Sequence, residues 1–527
     1  MILMTLDSAI TEISIEQNLE QFLIVLSVSL AVATISRVFV WFKQIPYTLL
    51  LVIVGLGLAL VDIRLVNLSP ELILEIFLPP LLFEAAWNIK WKDLKENLTP
   101  IILLAVVGVI ISVASVSLAL SHFTVLPLSI ALLVGASLSA SDPVSVIALF
   151  RELGTGKKLT TIMEGESLFN DGVAVVAFVL LVGIPLGVND FSFTNSIVKF
   201  ATFVGVGIGV GFLIGFGISY LTQRFDLPLV EQSLTLVSAY GAYLITENLG
   251  GSGVIGVVTV GLILGNFGSR IGMNPRTRLS VSEFWEFLAF FVNSIVFLLI
   301  GDQIDFPSLL NSWNLILVAI ISLVVSRFVG VFFLCSISNL ITSDKISWQE
   351  QMILWWGGLR GSVSVALALS VPVILIDRAE VIETVFGVVL FTLLVQGLTT
   401  KTFLQKLNLI GNQTIKQDYS ELLARRVALN KVLTYMNNIP IETIPEIEPD
   451  FYNYEKNLIQ GQLKGIQEKI TQLQQLNPEL KNMSMKKLRD NLLAIEADTY
   501  ADLMLTGELN SDLSPILQEL ISLKNEG

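Results

Sequence analysis

The sequence predicts an all-α polytopic membrane protein, and two observations support this fold class. Of the 527 residues, 53% are hydrophobic and only 15% are charged, and the mean hydropathy is +0.74. In addition, apolar runs of roughly 18 to 25 residues recur along the chain, which is the length a helix needs to cross ~30 Å of hydrocarbon. Because hydrocarbon offers the backbone no hydrogen-bond partners, such runs are expected to be helical.

Thirteen apolar segments account for the first three quarters of the chain. We interpret residues 22–407 as a transmembrane domain of about 13 helices, preceded by an extracytoplasmic N-terminus at 1–21. The segments are 22–42, 46–62, 70–89, 99–122, 126–150, 162–187, 195–222, 230–247, 253–268, 281–301, 312–340, 347–372 and 380–403.

The loops between these segments differ in positive charge, which orients the chain. Lys and Arg accumulate in the short loops on the cytoplasmic side. With the N-terminus outside, the outer loops carry only Arg64 and Arg378, whereas twelve basic residues lie in the inner loops. The bias therefore predicts an external N-terminus and a cytoplasmic C-terminus. It also supports the number thirteen, since one missed segment would reverse the alternation.

Residues 408–527 differ in character and form a predicted cytosolic tail. A stripe of apolar residues at spacings of three and four indicates a helix there: Ile459, Leu463, Ile466, Ile470 and Leu473. Two interpretations remain open, a solubilising tail with little fixed structure and a regulatory or dimer-supporting module.

Several classes of partner are disfavoured by composition. The net charge of −13 argues against nucleic acid. The single histidine, His122, and the single cysteine, Cys335, lie in apolar surroundings and are expected to pack there. They exclude an intramolecular disulfide and a histidine-rich metal site. We expect no cofactor.

The fifth segment contains G-A-S-L-S-A-S-D-P-V-S-V, in which a helix is expected to break. Pro143 lacks an amide hydrogen and disfavours helical backbone before it, which places the break at Ser141 and Asp142. Such a break near the membrane midplane is tolerated only where it is buried in protein or lines a cavity. Broken helices of this kind are typical of transporter binding sites.

The twelfth segment contains W-W-G-G-L-R-G-S-V-S-V, with Arg360 among glycines at similar depth. A buried arginine is expected to have a carboxylate partner, and the sixth segment, with Glu166 and Asp171, offers two. Another intramembrane arginine, Arg327, is expected to pair with Glu247 or Glu286. Since the fifth and twelfth segments are seven crossings apart, segments 1–6 and 8–13 are predicted to be inverted repeats with crossed broken helices.

Five motifs, in order along about 400 residues, resemble bacterial NhaP-like sodium/proton antiporters of the electroneutral branch. They are L-P-P-L-L-F-E-A-A, S-A-S-D-P-V-S-V, G-E-S-L-F-N-D-G-V-A-V-V, F-W-E-F-L-A-F-F-V-N-S-I-V-F-L-L-I-G and G-G-L-R-G-S-V-S-V-A-L-A. The resemblance implies an NhaA/NhaP-like antiporter fold, a homodimer in membrane lipid and a prokaryotic plasma membrane. The long tail is not explained by it.

The resemblance implies a set of ion-binding residues. Asp171 would bind either Na⁺ or a proton, with Asp142 on the facing broken helix. Ser167 would supply a hydroxyl and Ser141 a backbone carbonyl. Glu84, in the third segment, would lie on the cytoplasmic approach to the ion.

A second implied set supports the site. Glu166 would pair with Arg360, and Asn170 would steady the site beside Asp171. Relatives that exchange two protons per sodium have Asp-Asp at this place, so the neutral Asn170 implies electroneutral exchange of one H⁺ for one Na⁺.

The chemistry of these groups agrees with the resemblance. Na⁺ and Li⁺ are hard cations that prefer oxygen ligands, and one carboxylate can hold a proton or a cation but not both. A K⁺/H⁺ or Ca²⁺/H⁺ antiporter of the same fold is the alternative. A cation channel is disfavoured because no carbonyl-filter sequence is present, a primary pump because no nucleotide-binding motif is present, and an enzyme because no nucleophile–base arrangement is evident.

Overall fold

The computed structural model describes most of the chain: residues 21, 23–36, 38, 46–61, 68–187, 193–224, 227–269, 273–342, 344–409, 413–438, 449–477, 480, 485 and 499. The predicted N-terminal stretch 1–21, except Gln21, and the end of the predicted tail lie outside these residues. The described part divides into two units, one ending at Leu409 and the other comprising the tail.

All regular structure in the described residues is helical, which confirms the predicted all-α class. The first unit contains α1 Leu23–Ser36, α2 Tyr47–Leu60, α3 Leu78–Asn88, α4 Trp91–Glu96, α5 Leu98–Phe123, α6 Leu128–Ser137, α7 Val144–Leu153, α8 Lys157–Leu181, α9 Phe193–Thr222, α10 Pro228–Asn248, α11 Gly253–Gly268, α12 Pro275–Asp302, α13 Phe306–Asn311, α14 Trp313–Ile341, α15 Trp348–Trp356, α16 Ser362–Leu369 and α17 Arg378–Lys406.

Each of the thirteen apolar segments coincides with helix in the described residues. Five described helices are long and apolar enough to cross a membrane by length and composition alone, namely Leu98–Phe123, Thr194–Thr222, Thr277–Asp302, Trp313–Ile341 and Arg378–Lys406. Other segments are shorter, broken or interrupted by charged residues, so the number of crossings stays a prediction.

The helices of the first unit form two groups. In one group, which we call the core bundle, α5–α8 pack with α14–α17. In the other, the support bundle, α2 and α3 pack against α11 and α12, with α10 alongside α11. Each bundle thus combines predicted segments that are seven crossings apart.

Both predicted helix breaks are present in the core bundle. The fifth segment leaves helical structure after Ser137 and resumes at Val144, and the twelfth ends at Trp356 and resumes at Ser362. Pro143 and the glycines around Arg360 account for these interruptions. Proline removes a backbone hydrogen-bond donor, and glycine destabilises a helix interior because of its conformational freedom. The breaks place polar backbone groups inside the bundle.

The described tail forms two helices, α18 Gln413–Asn438 and α19 Pro449–Leu476. Their apolar sides meet around buried Tyr419, Ile470 and Leu480, and the predicted stripe lies on α19. The described part of the tail is therefore helical, and its role stays a prediction.

A close helix crossing in the support bundle, between α2 and α12, depends on two glycines. A Cβ atom at Gly55 of α2 would overlap the carbonyl oxygen of Leu298, and one at Gly301 of α12 would overlap that of Val52. Small residues at such contacts let helices in membranes approach backbone to backbone.

We predict that Gly55→Ala lowers the stability of the detergent-solubilised protein. The added methyl group has no room and should cost about 1–3 kcal/mol of unfolding free energy. Gly57→Ala is the matched control, because a Cβ atom there meets nothing within 4 Å. Equal thermal unfolding midpoints for the two variants would contradict this account of the crossing.

Candidate functional site

The two helix breaks meet in the centre of the core bundle. The backbone amide of Asp142 donates a hydrogen bond of 2.8 Å to the carbonyl of Leu359. Gly361 lies directly against Asp142, and a Cβ atom there would overlap its carboxylate. Only glycine at this position lets the two broken helices cross so closely.

The Asp142 carboxylate lies between two helix N-termini. It accepts a 3.1 Å hydrogen bond from the amide of Val144, the first residue of α7, and the amide of Ser362, the first residue of α16, also stabilises its charge. Unpaired N–H groups at a helix start favour negative charge. Both breaks therefore stabilise the same carboxylate.

Arg360 lies at a helix C-terminus, that of α6. Its Nη1 donates to the carbonyls of Ser139 (2.9 Å) and Ala140 (2.8 Å), just beyond the end of α6. Its own amide donates to Oγ1 of Thr392 at 3.1 Å, and the side chain is 1% exposed. Carbonyl groups at a helix end favour a cation.

The predicted Glu166–Arg360 ion pair is wrong, because the partner of Glu166 is Arg327. Nη2 of Arg327 lies 2.9 Å from Oε1 and 3.2 Å from Oε2 of the Glu166 carboxylate. The sequence did not reveal that Arg360 could instead donate to carbonyls exposed at a helix break. Glu166 still interacts electrostatically with Arg360.

The predicted partners of Arg327 are wrong for the same reason. Arg327 donates to the carbonyls of Leu354 (3.0 Å) and Trp355 (3.2 Å), at the end of α15, as well as to Glu166. Glu247 instead accepts the amide of Gly253 at 2.8 Å. The sequence does not predict the role of Arg327 as the partner of Glu166 and of the end of α15. Its position amid apolar residues indicates only that it needs partners inside the protein.

The proposed ion ligands converge beside the crossing. Oγ of Ser167 on α8 donates to the carbonyl of Ser141 at 2.6 Å. Asp171, one turn further along α8, is buried and interacts electrostatically with Asp142 and Arg360. Among the described residues, Oδ1 of Asp171 has no hydrogen-bond partner. Two carboxylates, a hydroxyl and a carbonyl thus lie together, which suits a hard cation.

Asn170 and Glu84 occupy different places. Asn170 is 2% exposed and lines a cavity of about 20 Å³ together with Glu166, Arg327 and Arg360. Glu84, on α3 of the support bundle, accepts a hydrogen bond from Asn88 and interacts with Arg151 and Glu164 rather than with the ligand group. Asn170 therefore faces a cavity beside the ion pair of Glu166 and Arg327, and Glu84 lies apart from the proposed ligands.

We predict that Glu166→Gln is strongly destabilising. It leaves the guanidinium of Arg327 without its carboxylate partner, a loss of about 3–5 kcal/mol for a buried pair. Glu164→Gln, on the same helix, breaks a pair whose arginine is largely exposed and should cost less than about 1 kcal/mol. Thermal unfolding in detergent separates the two; similar midpoints would argue against a structural role for Glu166.

Comparison with known proteins gives a consistent result at three levels. The family model described as "Sodium/hydrogen exchanger, transmembrane" matches residues 25–406. The chain is 65% identical over 520 residues to the Na⁺/H⁺ antiporter ApNhaP of Aphanothece halophytica, covering 98% of this chain and 99% of the relative.

A second relative and a solved structure agree. The low-affinity Na⁺/H⁺ antiporter NhaS1 of Synechocystis sp. is 58% identical over 520 residues, with 98% of each chain covered. The sodium proton antiporter MjNhaP1 of Methanocaldococcus jannaschii has the same fold, with a TM-score of 0.58 at 21% identity, covering 73% of this chain and 99% of that one. With its crossed broken helices and buried carboxylates, this integral membrane protein belongs to the sodium/hydrogen exchanger family.

Proposed function

We propose that the chain is a secondary active transporter that exchanges Na⁺ for H⁺ through the group formed by Asp171, Asp142, Ser167 and Ser141. One observation carries this proposal: two buried carboxylates lie at a crossing of broken helices, where the neighbouring Glu166 and Arg327 already neutralise each other. Relatives that align with nearly the whole chain are named Na⁺/H⁺ antiporters, so the function is transport and not catalysis.

The charged groups at the helix crossing have a net charge that one monovalent cation can neutralise. Glu166 and Arg327 neutralise each other as a contact pair. Of the remaining groups, Asp142 and Asp171 carry two negative charges and Arg360 one positive charge, so the group has a net charge of −1. One Na⁺ or one proton neutralises it.

This balance explains why exchange would be obligatory and electroneutral. A charged group in hydrocarbon is costly, so the group should change its exposure readily only when it is neutral. Both loaded forms, with Na⁺ or with a proton on Asp171, are neutral, and the empty form is not. The neutral amide of Asn170 preserves this count, because a second acid there would add a further negative charge.

Other features of the proposal rest on the sequence and the resemblance. We place the N-terminus outside and the C-terminus in the cytoplasm of a prokaryotic cell, in the plasma membrane, with the protein as a homodimer and Glu84 on the cytoplasmic approach. Li⁺ is expected to replace Na⁺. A single net negative charge favours monovalent ions over Ca²⁺, and K⁺ remains the alternative that an ion series must test.

We predict that Asp171→Asn abolishes Na⁺-dependent proton release while the protein stays folded, because the amide cannot exchange a proton for a cation. The assay uses everted vesicles with an acidic interior, to which Na⁺, Li⁺, K⁺ or Ca²⁺ is added. Asp344→Asn, in an exposed loop, is the matched control. Persistent exchange by Asp171→Asn would refute the site, and a wild-type response to K⁺ or Ca²⁺ but not Na⁺ would refute the choice of ion.

We predict further that exchange is insensitive to membrane potential. In proteoliposomes at a fixed pH gradient, potentials imposed with K⁺ and valinomycin should leave the initial Na⁺ uptake rate unchanged, since one charge crosses in each direction. A rate that rises with potential of either sign would show net charge movement and exclude one-for-one exchange.

A further inference from the structure

A line of oxygen-bearing side chains leads away from the proposed ligands along α8. Glu164, Ser167 and Asp171 are spaced by three and four residues, so they share one face of the helix. Glu164 lies about 10 Å before Asp171 along the helix axis, toward the end of the bundle proposed to face the cytoplasm. An ion moving toward Asp171 from that side would pass this carboxylate.

A guanidinium group stands at the same level. The half-helix α7 begins beside Asp142 and has Arg151 in its last turn, where Nη2 lies 3.0 Å from Oε1 of Glu164. The side chain of Arg151 is 62% exposed, whereas that of Glu164 is 19% exposed. The carboxylate of Glu164 is thus largely buried in the bundle, and the guanidinium of Arg151 lies between it and the solvent.

One carboxylate of the support bundle interacts with both members of this pair. Glu84 on α3 interacts electrostatically with Arg151, Glu164 and Glu286 of α12. Two helices of different bundles, α8 and α3, therefore each provide an acidic group that interacts with Arg151. An entrance lined with excess negative charge concentrates cations, and here one of the cations is part of the protein.

We propose that Arg151 is a tethered cation at the cytoplasmic entrance, where it competes with incoming Na⁺ for Glu164 and Glu84 and so lowers the apparent affinity for cytoplasmic Na⁺. The exposed pair with Glu164 adds little to stability, so the guanidinium can leave when Na⁺ arrives. Arg151 is a positioning residue for access and does not itself bind the transported ion. The proposal rests on the exchange function given above.

The test measures half-saturating Na⁺ on the cytoplasmic face, using everted vesicles from a host that lacks its own Na⁺/H⁺ antiporters. Arg151→Gln should lower this concentration by about two- to fivefold, because one competing charge is removed from the entrance. Arg151→Lys, which keeps the charge, should remain close to wild type. If Arg151→Gln does not accumulate, Arg151→Met keeps the aliphatic stem and provides the same test.

Arg224→Gln is the matched control for a general effect of charge. Arg224 is an exposed arginine at another predicted cytoplasmic loop, where it stacks on Tyr220, and its removal should leave half-saturation unchanged. An unchanged or higher value for Arg151→Gln, or an equal fall for Arg224→Gln, would overturn the proposal. Loss of Na⁺ response in the wild-type protein would instead refute the exchange function itself.

Ionic strength provides an independent readout. Raising choline chloride from about 10 mM to about 200 mM shortens the screening length severalfold, so the difference between wild type and Arg151→Gln should shrink. A purely structural effect of the substitution would persist at both concentrations, and that result would also overturn the proposal.

Discussion

The structure depends on how four helix ends are satisfied inside the core bundle. Two broken helices leave two N-termini and two C-termini where water cannot solvate them, and each end carries partial charge. Both N-termini stabilise the carboxylate of Asp142, through the amides of Val144 and Ser362. The C-termini are bound by arginines, Arg360 after α6 and Arg327 after α15. Without these groups neither break would be stable, and without the breaks there would be no ligand group.

This arrangement also decides which charges remain for an ion. Because Nη1 of Arg360 donates to carbonyls, the carboxylate of Glu166 is left to Arg327. Arg360 acts on Asp171 through space and not by contact. A contact between Arg360 and Asp171 would hold the carboxylate in place against any cation. At a distance, the same charge only reduces the net charge of the group to −1. The helix breaks therefore set both the geometry and the charge of the proposed site.

The sequence reveals those features that are local in the chain. Pro143 and the glycines around Arg360 predict the breaks, and the spacing of Ser167 and Asp171 predicts their shared face. The partner of Arg360 could not be found in this way, since the carbonyls of Ser139 and Ala140 carry no side-chain signal. Nor could the pair of Arg327 with Glu166, which joins residues 161 positions apart. The number of crossings stays a prediction, because several segments are too short or too charged to be identified as crossings by length and composition alone.

The location of the ligands restricts how the two sides of the membrane can be reached in turn. All four ligand residues belong to the core bundle, and the bonds between α6, α7, α8 and α16 tie them into one unit. Contacts to the support bundle are of another kind, such as the hydroxyl pair Thr48–Ser145 and the long-range interaction of Glu84 with Arg151. Separating Asp142 from Leu359 would leave backbone groups of the helix breaks unsatisfied. In the proposed exchange, the core bundle can therefore keep its ligand geometry intact while the accessible side changes.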